Sequence, residues 1–178
     1  FAAISSPAPK FRVEAVMPNG EFTDIHLTSF QQNEKWLVLF SIPNLNSSIN
    51  ASEVVAFSEN YHRFQEINAE LLLIAPESVF ALNAWTTIPK SEGGIESVNY
   101  PLGADIGCCI HKKYGLYDVE NDIYFRGTII IDPDGIVKHI SINDPNVGRS
   151  VEEILRLVKA FKFSRENGQV CPAKWKEG

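Results

Sequence analysis

From Trp36 to Ile42 every residue but Ser41 is apolar, and the run is rich in β-forming types. A continuous apolar run of that length predicts a strand covered on both faces. Glu70–Ala75 carries the same signature and is closed by Pro76. Upstream, Met17-Pro18-Asn19-Gly20 is a turn signal between Phe11–Val16 and Glu21–Leu27, which predicts two paired strands. Downstream, Phe125–Ile131 and Ile136–Ile142 predict strands joined by Asp132-Pro133-Asp134-Gly135, a hairpin signal.

Helical spacing alternates with these runs. Val54, Phe57, Tyr61 and Phe64 fall on one stripe of a helix spanning Val54 to Ile67. Ser78–Trp85 predicts a short helix, ended by Pro89 and the Gly93-Gly94 loop, and Ala104–Tyr114 predicts another before Gly115. Ser150 and Glu153 have capping-box spacing ahead of a helix whose Val151, Ile154, Leu155, Val158 and Phe161 face the core. The order β-α-β-α-α-β-β-α predicts an α/β sandwich, a mixed central sheet with helices on both faces.

Length changes this picture little: 178 residues suffice for one domain with a proper core. The expected division is a domain over 1–163 and a C-terminal tail over 164–178, the tail wrapping over some other surface. A net charge of −6 without a basic block argues against a nucleic-acid partner or an anionic membrane surface. No apolar run approaches the roughly 20 residues of a membrane span. A chain that begins at Phe1 rather than Met is expected to be processed or trimmed. Three cysteines, two of them adjacent, do not form a disulfide framework, and this usage fits a reducing compartment such as cytosol or mitochondrial matrix. The four histidines are scattered without ligand spacing, so neither metal nor cofactor is expected.

The candidate chemistry lies where the first buried strand ends. Residues 43–53, Pro-Asn-Leu-Asn-Ser-Ser-Ile-Asn-Ala-Ser-Glu, form a loop and a helix start, the place where an α/β fold presents reactive groups. Asn50 and Glu53 have capping-box spacing, so Asn50 is expected to cap the helix, an interaction worth about 1 kcal/mol. The frame Pro43-x-x-x-Ser47-x-x-Asn50 resembles the peroxiredoxin signature Pro-x-x-x-Thr/Ser-x-x-Cys, with asparagine where that family carries its peroxide-reactive cysteine.

The resemblance to typical two-cysteine peroxiredoxins continues along nearly the whole chain. Glu53-Val54-Val55-Ala56-Phe57-Ser58 is similar to the helix after the reactive cysteine, and Ala84-Trp85, Pro89 and Gly93-Gly94 to the loop beyond it. Phe125-Arg126-Gly127 with Ile129-Ile130-Ile131-Asp132 resembles the strand carrying the family's active-site arginine. Asn143-Asp144, Val147-Gly148-Arg149-Ser150-Val151 and Leu155–Phe161 extend the match, and Val170-Cys171-Pro172-Ala173 with Trp175 resembles the resolving-cysteine tail. The wording of the second half is closest to the mitochondrial branch; cytoplasm is the alternative.

The resemblance implies a thioredoxin-like fold and a pocket made of Pro43, Ser47, Asn50, Glu53 and Arg126, with Cys171 as the resolving-type thiol. In the family a thiolate attacks the peroxide and becomes a sulfenic acid, which a partner subunit's tail cysteine resolves before thioredoxin reduces the disulfide. By position, Ser47 is the hydroxyl that orients peroxide, Arg126 the thiolate-stabilising guanidinium and Glu53 its partner. The departures fall in the pocket: Asn50 for the nucleophile, Ala51 for the following proline, Asn46 and Ser48 for aromatic residues.

An amide can form neither a sulfenic acid nor a disulfide. The expectation is therefore a non-catalytic structural, chaperone-like or regulatory protein of redox homeostasis. Its expected assembly is a homo-oligomer, a dimer or a decamer ring, a mixed oligomer with an active peroxiredoxin, or part of a larger one. Asn50 is expected to hold the helix's first turn wound and so to favour assembly. The alternative is a thioredoxin-dependent peroxidase using another cysteine or a partner subunit. Cys171 is a resolving thiol or a free one; Cys108 and Cys109 carry a relocated reaction or pack as small apolar residues. Arg126 binds an anion or keeps an inherited salt bridge. The sequons Asn46-Ser47-Ser48 and Asn50-Ala51-Ser52 read as coincidence, and Lys90–Gly94 as a loop without ligand.

Overall fold

The computed structural model describes residues 1–178. Its central strands follow directly from the two apolar runs: β3 is Trp36–Ser41 and β4 is Ala69–Ala75, paired in parallel. Side chains on a strand alternate between faces. Val38, Phe40, Leu71 and Leu73 accordingly enter one apolar cluster, and Leu37, Leu39, Leu72 and Ile74 the other. A strand buried on both faces needs apolar residues at every position, which is why these runs show no polar alternation.

Around this pair the sheet grows to seven strands. The turn at residues 17–20 joins β1 (Arg12–Val16) to β2 (Phe22–His26), and β1 also pairs with β5 (Leu102–Ala104). On the other side β8 (Arg126–Ile131) runs antiparallel to β3 and to β9 (Val137–Asn143), giving the order β2-β1-β5-β4-β3-β8-β9. Two short strands, β6 (Tyr117–Asp118) and β7 (Ile123–Tyr124), make a separate hairpin.

Helices cover both faces, as expected. Residues of α2 (Ser48–Glu59), α3 (Tyr61–Glu66), α4 (Val79–Thr86) and α6 (Val151–Asn167) pack into the first cluster. The second cluster takes Leu27 of α1 (Leu27–Gln32) and Ile110 of α5 (Cys109–Lys113), together with Ala8 and Phe11 before β1.

Three expectations need correction. The helix over Val54–Ile67 is two helices broken at Asn60, whose side-chain amide donates to the Ala56 carbonyl at 2.8 Å. That local hydrogen bond competes with the helical ladder, while the apolar stripe runs on across the break. Ala104–Tyr114 is not one helix. Its first residue ends β5, where a Cβ on Gly103 would lie 2.9 Å from the Leu73 carbonyl oxygen, so the strand fits only with glycine there. The chain then turns at Asp105–Cys108, with Cys108 at φ +57°, before α5 begins. Nor does Asn50 cap α2: Ser47 does, its Oγ accepting from the Ile49 N–H at 3.2 Å, and Asn50 lies inside the first turn.

Ser150 does cap α6, accepting from the Glu153 N–H at 3.3 Å, and the helix continues to Asn167 before Gly168 ends it at φ +64°. Beyond it the tail folds back along the same helix. Arg156 donates to the Trp175 carbonyl at 3.1 Å, the Trp175 ring lies 5.4 Å from Phe163, and Lys159 pairs with Glu177 at 3.2 Å.

The stack of Phe40 on Phe57, 4.2 Å between centroids, joins the sheet to α2 with both rings fully buried. Phe57→Ala is expected to lower unfolding free energy by about 3–5 kcal/mol, as large-to-small core truncations do. Urea denaturation checks this; a loss below 1 kcal/mol would mean α2 is not packed as described.

Candidate functional site

The end of β3 delivers the chain to a short loop, residues 43–47, and the first turn of α2 carries Asn50 into the interior. Its side chain is fully buried. Nδ2 donates to the Asn44 carbonyl at 2.6 Å and to Asn44 Oδ1 at 3.1 Å. Oδ1 accepts from Nη1 of Arg126, the first residue of β8. The amide is thus satisfied on both sides and joins the loop, the helix and the sheet.

Arg126 is 2% exposed. Its Nε donates to the Pro145 carbonyl at 2.7 Å, and Nη1 also reaches Glu53 Oε1 at 2.8 Å. Glu53, one turn beyond Asn50 on α2, is 5% exposed. A second guanidinium holds it from the other side. Arg149 donates from Nε to Oε2 at 2.9 Å, from Nη2 to Oε1 at 3.0 Å, and from its backbone N–H to Oε2 at 2.6 Å. Arg149 also donates to the Gly127 carbonyl at 2.7 Å and lies over the Phe40 ring at 5.3 Å. Burial alone would raise the Glu53 carboxyl; the hydrogen bonds and charge of Arg149, with Arg126 behind them, hold it below its ordinary value of 4.5.

One carboxylate faces two guanidinium groups here, so the site keeps one positive charge in excess. The remaining acceptors are neutral: two backbone carbonyls and the Asn50 amide oxygen. Such an arrangement favours an anion beside Arg126. Arg149 is the residue that reading the sequence for a site missed. Its signal is the stretch Val147-Gly148-Arg149-Ser150, part of the family resemblance.

The other expected site residues separate. Pro43 is half-buried in the loop, and the Ser47 hydroxyl is engaged as the helix cap. Cys171 lies in the tail with Sγ donating to the Ala160 carbonyl at 3.4 Å. Cys108, at the N-cap of α5, is half-buried, and Cys109, the first residue of that helix, is exposed. Arg126 donates to Pro145, Asn50 and Glu53, and none of its partners is a sulfur. Asn46 is exposed whereas Asn50 is buried, so the second sequon cannot carry a glycan in this fold.

A mixed seven-stranded sheet with an arginine–carboxylate group at the head of α2 defines a thioredoxin-like fold of the peroxiredoxin kind. The chain belongs to the peroxiredoxin family: the AhpC/TSA family matches residues 4–140, and the C-terminal domain of 1-Cys peroxiredoxin matches residues 160–178. It is 44% identical over 177 residues to a peroxiredoxin of Cynops pyrrhogaster, covering 99% of this chain and 88% of that protein. It is 43% identical over 173 residues to the mitochondrial thioredoxin-dependent peroxide reductase of Mus musculus, covering 97% of this chain and 66% of that one. The fold superposes on reduced Plasmodium vivax 2-Cys peroxiredoxin with a TM-score of 0.95 at 34% identity, over 98% of this chain and 90% of that chain.

Glu53→Gln would leave two buried guanidinium groups short of their counter-charge. A loss of about 3–5 kcal/mol is expected, the range for breaking a buried pair by removing one partner. The sign with pH follows from the depressed carboxyl. Its stabilisation is complete above the unfolded-state value near 4.5 and is lost as pH falls through the lower folded-state value. Urea midpoints measured from neutral pH into the acid range should fall more steeply for the wild type than for Glu53→Gln. Parallel curves would contradict the assignment.

Proposed function

We propose that this peroxiredoxin-family protein carries no peroxidase chemistry at Asn50 and serves as a structural, chaperone-like or regulatory subunit in redox homeostasis. The single observation behind this is the fully buried Asn50 amide, hydrogen-bonded to Arg126 where a positively charged site would favour an anion. A carboxamide is neutral at all working pH values and cannot carry a transferred oxygen. Removing an auxiliary hydrogen-bond donor from an active site costs about 10²–10³-fold in rate. Removing the atom that forms the bond to substrate removes the reaction itself.

The same amide ties the first turn of α2 to Asn44 and Arg126, and we infer that it keeps this turn wound. A rigid first turn fits a protein whose task is assembly. Two surface features support self-association or mixing with an active relative. The sheet ends in strands β2 and β9, the latter met at its first residue, Val137, by the backbone of Ser5 and Ser6, and Phe22 meets Phe80 edge-to-face at 5.8 Å while both stay exposed. The resemblance to mitochondrial relatives supports a mitochondrial location, with cytoplasm as the alternative.

Peroxide consumption coupled to thioredoxin, its reductase and NADPH tests the chemistry. Wild type is expected to show no turnover above the enzyme-free rate, and Asn50→Cys to acquire it. Wild-type turnover abolished by replacing Cys108, Cys109 or Cys171 would instead establish a thioredoxin-dependent peroxidase working through that cysteine.

Light scattering with size exclusion at micromolar concentration tests the assembly. Species larger than a dimer are expected, and monomers or dimers alone would remove support for the wound-turn reading.

A further inference from the structure

Between α6 and the tail that folds back along it lies a cavity of about 600 Å³, within the size range of sites that take small molecules. Its walls come from two segments of the chain. Leu155, Arg156 and Lys159 of α6 form one side, and Trp175, Lys176 and Glu177 of the tail the other. None of the lining residues belongs to the Asn50 pocket.

The charged groups around this cavity are not equally available. Arg63 of α3 grips both oxygens of Glu152, with Nη2 to Oε2 at 3.0 Å. Arg156 holds both oxygens of Glu153, at 2.7 and 2.8 Å. Two-pronged guanidinium–carboxylate pairs of this kind keep their partners. Lys159 has one ion-pair contact, to Glu177 at 3.2 Å, between side chains that are 30% and 64% exposed. A pair so well hydrated contributes little and is easily exchanged. Lys176 is exposed and pairs with no carboxylate. Two ammonium groups, one on each wall, are therefore open to an incoming anion.

The apolar part of the lining is Leu155 and Trp175. The Trp175 ring meets Phe163 at 5.4 Å, yet the residue stays half-buried, whereas Trp36 and Trp85 are 2% and 4% exposed. An indole left partly open at a cavity wall offers a flat apolar surface to a second ring.

We propose that this cavity binds a small aromatic acid, a flat ring system bearing a carboxylate or sulfonate. The acid group lies between Lys159 and Lys176, taking the place of Glu177, and the ring lies against Trp175 and Leu155. Occupancy has a consequence for the tail. A ligand that touches both walls binds only while the tail is docked, so it stabilises the docked state by mass action. Cys171 rides on the same segment, with Sγ against the Ala160 carbonyl at 3.4 Å, and becomes less accessible as the site fills. The thiol is here a reporter of docking, and neither the site nor its linkage to the tail depends on how the Asn50 pocket is read.

Fluorine NMR of the full chain carrying fluorotryptophan, titrated with 2-naphthalenesulfonate, tests the site. The Trp175 resonance, identified by its loss in Trp175→Phe, is expected to shift with a Kd of about 1 mM, the affinity of an efficient ligand of this size. The Trp36 and Trp85 resonances should stay in place. Lys176→Ala and Lys159→Ala should each weaken binding about threefold, as exposed ion pairs do, and the uncharged 2-naphthalenemethanol should bind about tenfold more weakly. Iodoacetamide alkylation of Cys171, followed by peptide mass spectrometry, reads the linkage. At ten times Kd its rate should fall about tenfold while that of exposed Cys109 is unchanged. No shift at Trp175, equal shifts at all three tryptophans, equal affinity for the uncharged compound, binding indifferent to both lysines, or Cys171 alkylation unaffected by ligand would each overturn the proposal.

Discussion

Glu53 is a carboxylate taken almost wholly out of water and held between two arginines that come from distant parts of the chain. Arg126 opens β8, while Arg149 lies in the turn between β9 and α6, so one side chain on α2 fixes both relative to the sheet. Desolvating a carboxylate is costly, and one partner would not offset it. Here the backbone N–H of Arg149 joins both guanidinium groups, supplying several charge-assisted hydrogen bonds to two oxygens. The group resists piecemeal change, because losing one member strands the others in a place water does not reach.

That constraint bears on what can occupy position 50. Two guanidinium groups against one carboxylate leave positive charge that any group beside Arg126 must answer. An anion would answer it fully; an amide oxygen answers it with a dipole. The amide adds what an anion would not, a donor that reaches back to Asn44 and closes the loop over the helix start. The same chemistry that withholds a nucleophile therefore supplies a staple. The charge distribution is that of a pocket with an anion's seat, and the hydrogen bonding is that of a structural joint.

The strands were legible in the sequence because burial on both faces leaves a continuous apolar run, as in Trp36–Phe40 and Ile129–Ile131. The breaks were not. Asn60 interrupts a helix without interrupting its stripe, and Asp105 ends one element and starts another by local hydrogen bonds that carry no periodicity. β5 is three residues long and gains its place from a glycine's close approach to β4, which no window of alternation shows. At the site, Asn50, Glu53 and Arg126, which the resemblance groups in one pocket, are hydrogen-bonded neighbours. The sequence also suggested that Asn50 caps α2, because asparagine is a good cap and Glu53 has the right spacing. Burial decided otherwise: Ser47, one turn earlier and partly exposed, takes the cap, and Asn50 turns inward to the guanidinium.

The tail follows different physics from the pocket. Its contacts with α6 include a hydrogen bond from Arg156, the weak bond from Cys171 Sγ to the Ala160 carbonyl, an aromatic contact and a pair between partly exposed Lys159 and Glu177. Such surface interactions contribute little, so the segment belongs to the low-stability end of the molecule and can leave α6 without disturbing the core. The first turn of α2 is held differently: the buried Asn50 amide has hydrogen-bond partners on both sides, in the Asn44 loop and in Arg126 at the head of β8, so this turn moves with the sheet while the tail does not.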